Sequence, residues 1–106
     1  MLSELKSPWE PISDTAAANA VAELARELGP AHPLKKKPVR AVAARRDCDD
    51  VLFVLTEEKP ACAVVHLTYI GKEERPGWPE TRLFASLDEW VRDCMIPDHD
   101  DYHTGE

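Results

Sequence analysis

The chain has 106 residues, 43% of them hydrophobic and 31% charged, with a net charge of −7. That length suits a single domain, 1–106, with one proper core, and no run reaches the roughly 18 apolar residues that a membrane span needs. Residues 1–53 carry eight basic and eight acidic side chains, whereas 54–106 carry five and twelve; an acidic second half repels phosphate backbones, so nucleic acid is not expected as a partner.

The first twelve residues hold Pro8, Trp9 and Pro11 with little periodicity, and they read as an irregular arm. A helix follows. Ser13 or Asp14 can cap it, and Ala17, Val21, Leu24 and Leu28 recur at helical spacing, widened by Ala20 and Ala25. Glu23, Arg26 and Glu27 fall off that stripe, and Gly29 with Pro30 supplies a left-handed stop. Three prolines between 30 and 38 make a stiff connector, and its Lys35–Lys36–Lys37 run reads as a solvated loop.

Val39 to Arg46 is the first predicted strand. Asp47-Cys48-Asp49-Asp50 is turn chemistry, because short acidic side chains bond nearby backbone groups. Val51 to Thr56 is a second strand, apolar on both faces, and Glu57-Glu58-Lys59-Pro60 closes the next connection. The third, Ala61 to Ile70, is the longest β-branched and aromatic run and reads as the sheet centre. Short loops between successive strands imply an antiparallel meander. Thr81 to Phe84 can add a fourth strand after a polar loop. Ser86-Leu87-Asp88-Glu89 matches a capping box and opens the last helix, whose buried stripe is Leu87, Trp90, Val91, Cys94 and Met95. Pro97 stops it, leaving 98–106 as a mobile acidic tail. The fold expected is α+β: a helix, a three- to four-stranded antiparallel meander, and a C-terminal helix packed on the sheet. The helices can share one sheet face or divide between both.

Three candidates for chemistry emerge. On the third strand, Cys62, Val64, His66, Thr68 and Ile70 point one way. His66 beside Thr68 can line a groove, although a strand histidine is more often a hydrogen-bonded core group. Cys62 lies about 13 Å from His66 along a strand and cannot pair with it. Trp78, between Gly77 and Pro79, is either a loop clamp or a recognition anchor. The tail concentrates Asp98, His99, Asp100 and His103, weak candidates for metal ligation that match no defined loop. No catalytic constellation, phosphate loop or cofactor fingerprint stands in the sequence. Three widely spaced cysteines with no C-x-x-C suggest reduced thiols, and the N-terminus lacks a secretory pattern, so the expected location is cytoplasmic.

Val64-Val65-His66-Leu67-Thr68-Tyr69, Trp78-Pro79-Glu80-Thr81 and Phe84-Ala85-Ser86-Leu87-Asp88-Glu89-Trp90 together resemble a family of small bacterial α+β proteins. The resemblance spans roughly residues 39–102 and implies the fold but no activity. The layout is also similar to small immunity proteins of bacterial toxin systems, which implies a protein partner but supplies no site residues. The leading expectation is therefore a non-catalytic protein-binding module, immunity-like, offering its acidic half to a basic partner, with a homodimer through an edge strand as a further option. The alternative is a small metal- or ligand-dependent enzyme using His66 or the His99/His103 tail.

Overall fold

The computed structural model describes residues 5–56 and 61–104, the last two as backbone only; the Glu57–Pro60 connection lies outside the described residues. Five strands form one antiparallel sheet in chain order: β1 (Trp9–Pro11), β2 (Val39–Arg45), β3 (Asp50–Leu55), β4 (Cys62–His66) and β5 (Glu80–Phe84). Helix α1 (Asp14–Glu27) follows β1. The C-terminal rod comprises α2 (Leu87–Trp90), a π-helical turn (Val91–Met95) and α3 (Ile96–Thr104). The class is the α+β meander expected, with one strand more than the upper expectation.

The helices divide between the faces. Ala20 and Leu24 of α1, with Leu28 just beyond its end, pack on Val51, Phe53, Leu55, Ala63, Val65 and Leu67. Trp90, Cys94 and Met95 of the C-terminal rod pack on Leu52, Cys62, Val64 and Phe84. Strict alternation along β3 and β4 feeds both cores, which is why these strands are apolar throughout. In β2 a bulge between Ala41 and Ala43 turns Val42 and Ala43 to the same side.

Several expectations are corrected. The arm contains β1, whose Trp9 pairs with Arg45 and is buried edge-to-face against Trp90, ring centroids 5.1 Å apart. The central strand ends at His66 and not Ile70. Tyr69 takes a left-handed φ of 56°, which breaks an extended chain. Gly29 is not left-handed: α1 ends because Leu28 turns extended, with the Lys35 ammonium donating to the Leu28 carbonyl at 3.1 Å.

Pro97 does not stop the last helix. The Ile96 N–H reaches the Val91 carbonyl five residues back, and this wide turn resets the register. Pro97 then sits in the first turn of α3, where a missing N–H costs little. The rod carries Asp98 back to the arm. Its Oδ2 accepts from the Trp9 indole at 2.9 Å and the Cys94 thiol at 3.4 Å, and lies 3.3 Å from the Arg45 guanidinium. Asp98→Ala is expected to cost about 1–3 kcal/mol, since it leaves a buried indole N–H unpaired. Asp98→Asn, which keeps an acceptor, should cost less; urea unfolding of both variants checks the difference.

Candidate functional site

The end of α1 builds the surface on which the candidate residues stand. Glu23 and Glu27, expected on the solvent side, are 3% and 0% exposed. Glu27 accepts the Thr68 N–H on Oε1 at 3.0 Å and the Tyr69 N–H on Oε2 at 2.9 Å, while Glu23 Oε2 accepts the Gly71 N–H at 3.1 Å. The two carboxyls also act on each other and shift in opposite directions. Glu27, the Gly71 amide and Arg26 hold Glu23 below the ordinary glutamate value. Burial and then Glu23 push Glu27 above it. The α1 carbonyl of Glu27 adds a bond from the Glu74 N–H at 2.9 Å. Segment 67–74 is thereby fastened to one helix end.

That fastening places Trp78. A cleft of about 390 Å³ runs between 29–33 and 73–79, lined by Pro30, Pro33, Glu73, Glu74, Arg75 and Trp78 among others. The Arg75 guanidinium sits 5.0 Å above the Trp78 ring, a cation–π contact. Gly77, at φ +87°, makes the turn into Trp78. His32 ties the two walls together. Its Nδ1 accepts the Leu34 N–H at 3.1 Å, which leaves Nε2–H to face the Pro79 carbonyl at 3.2 Å and the Thr81 hydroxyl at 3.0 Å. Both ring nitrogens are used by the neutral ring, and burial lowers the pKa of this histidine.

A second cavity, about 460 Å³, adjoins the first at Gly77 and Thr81 and is lined also by Asp50, Val64, His66, Glu80 and Arg82. The ladder that pairs Val51 with Val65 also sets Asp50 opposite His66, and β5 sets Glu80 on His66's other side. His66 is half-exposed, and its Nδ1 lies 2.7 Å from Asp50 Oδ1. Cys48, from the β2–β3 turn, brings its sulfur to the same point: the ligand atoms of Cys48, Asp50 and His66 lie within 4.8 Å of one another.

Of the residues singled out in the sequence, His66 and Trp78 line adjoining cavities. Thr68 does not join His66: it lies beyond β4, with its N–H on Glu27 and its hydroxyl buried. The tail candidates do not assemble as a ligand set among the described residues. Asp98 is engaged by Trp9 and Arg45, His99 Nδ1 lies 2.8 Å from the Ser7 carbonyl, and the His103 side chain lies outside the described residues. Burial raises Cys62 to about 11 and Cys94 to about 12, so neither is a thiolate nucleophile at neutral pH.

No family model, curated protein or solved structure matches this chain. Among the described residues, no helix is long and apolar enough to cross a membrane. Sequence reasoning missed Glu23, Glu27, His32, Cys48, Asp50 and Glu80. The i,i+4 spacing of Glu23 and Glu27 beside Ala20 and Leu24 was the available signal for the first two.

Proposed function

We propose that the chain is a non-catalytic protein-binding module, immunity-like in mode, that takes an extended basic segment of a partner protein along β5. The observation carrying this reading is the open outer edge of β5 beside the Trp78 cleft. β5 ends the sheet, and an edge strand presents unpaired backbone groups to an incoming chain. Leu83, 45% exposed, shares its face with Thr81, because its cross-strand partner Ala63 belongs to the α1 core. Glu80 stands on the opposite face, and Glu73 and Glu74 edge the neighbouring cleft. A segment with apolar side chains every second residue and lysine or arginine between them would meet Leu83 on one face and Glu80 on the other. The shorter edge, β1, is guarded by Pro8 and Pro11. The acidic second half supports a basic partner and disfavours nucleic acid or an anionic membrane surface.

The test is an amide-shift titration of the full chain with two extended peptides of equal length. One alternates valine with lysine and the other valine with glutamate. Shifts confined to 78–84, seen with the lysine peptide and lost in Leu83→Asp, are expected. Equal response to both peptides, or none, would reject the reading. A doubled mass by light scattering that Leu83→Asp returns to monomer would replace the partner with a second copy of the chain.

A further inference from the structure

We propose that Cys48, Asp50 and His66 form a binding site for a zinc-class divalent cation. The three side chains come from separate backbone positions that the sheet fixes together. Asp50 opens β3, His66 closes β4 directly opposite, and Cys48 hangs from the turn two residues before Asp50. Their ligand atoms already lie within 4.8 Å of one another. A tetrahedral ion with bonds of 2.0–2.3 Å holds its ligands roughly 3.3–3.5 Å apart, so small side-chain rotations complete the set. The 2.7 Å contact between His66 Nδ1 and Asp50 Oδ1 would open by about 0.6 Å to admit the ion.

The donor set selects the ion. One thiolate, one imidazole and one carboxylate suit zinc, with cobalt as its spectroscopic substitute, and suit magnesium or calcium poorly because these take oxygen ligands. In the bound form the metal–nitrogen bond is at His66 Nδ1 and the ring proton is on Nε2, any proton displaced from Nδ1 leaving to solvent. The Cys48 thiol proton leaves to solvent as the metal–sulfur bond forms. Access is open, since Cys48 is exposed and His66 and Asp50 are half-buried at a cavity. Three protein ligands leave the fourth position to water from that cavity, which Glu80 also lines. The site involves neither Leu83 nor Trp78, so it stands or falls apart from the β5 reading.

Titration of the full reduced chain with cobalt(II) alone, followed by zinc calorimetry, tests the site. One equivalent of cobalt is expected to saturate the protein and to give a thiolate-to-cobalt charge-transfer band with the d–d absorption of a tetrahedral ion. Cys48→Ser should abolish the charge-transfer band, and His66→Ala and Asp50→Asn should each weaken zinc binding at least about tenfold. All three positions reach the surface, and far-UV circular dichroism verifies that each variant is folded. Absence of the band in the unaltered chain, its survival in Cys48→Ser, or zinc affinity unchanged in His66→Ala would overturn the proposal.

Discussion

Glu27→Ala is expected to destabilise the fold by about 2–5 kcal/mol in urea unfolding, a large effect for a helix position that a helical wheel assigns to solvent. The Thr68 and Tyr69 N–H groups both donate to this carboxyl, and truncation leaves each short of a partner. Glu27→Gln separates the hydrogen bonds from the ionisation. Its amide NH₂ can donate to Glu23 as a protonated Glu27 would, and its oxygen can accept from 68 and 69. The sign of the pH dependence follows from the two shifts. Glu27 titrates above the ordinary glutamate value of 4.5, so its protonation supports the fold below that value and the support is lost as pH rises through the raised pKa. Glu23 titrates below 4.5, so its contribution is present above that value and is lost as pH falls through the lowered pKa. The pair by itself therefore gives a stability maximum near the ordinary glutamate value of 4.5, with a limb on each side. Glu27→Gln is expected to remove the alkaline limb of this profile and keep the acid limb. An unchanged alkaline limb would show that Glu27 does not carry the proton.

Trp90→Ala is expected to cost about 3–5 kcal/mol, the range for deleting a large aromatic side chain from a core. Trp90 is fully buried where the C-terminal rod meets the sheet, against Trp9 and the cluster of Leu52, Cys62, Val64 and Phe84. Its indole N–H has no hydrogen-bond partner among the described residues. Trp90→Phe deletes that orphan donor and keeps much of the ring, so its cost should fall well below that of alanine. Chemical denaturation of both variants gives the ordering. A cost for alanine below about 1 kcal/mol would mean that the rod is not seated through this side chain.

Local signals were legible, and long-range ones were not. Ser13 capping α1 and Ser86 with Glu89 at α2 are readable because both partners lie within four residues, although Glu89 reaches the Ala85 N–H at 2.7 Å and not that of Ser86. The two-faced apolar pattern of β3 and β4 correctly implied a covered sheet, and the two helices cover opposite sides of it. Glu23 and Glu27 fall off the apolar stripe, and the amides that satisfy them lie 41 to 48 residues further along, beyond any local signal. The Cys48, Asp50 and His66 cluster needs the β3–β4 register, which alternation constrains only to within two residues. Leu67 to Ile70 looked like strand because their composition is strand-like. Two amides pinned to a helix-end carboxylate and a left-handed Tyr69 prevail over that propensity.

A buried carboxyl pair on α1 holds segment 67–74 and so preforms the cleft beside β5. Native-state hydrogen exchange tests it most directly. The amides of Thr68, Tyr69, Gly71 and Glu74 are expected to exchange nearly as slowly as those of β3 and β4. In Glu27→Ala, protection should be lost selectively from 67–79. Open-peptide exchange rates at those four amides in the unaltered protein, with β3 and β4 still protected, would contradict it.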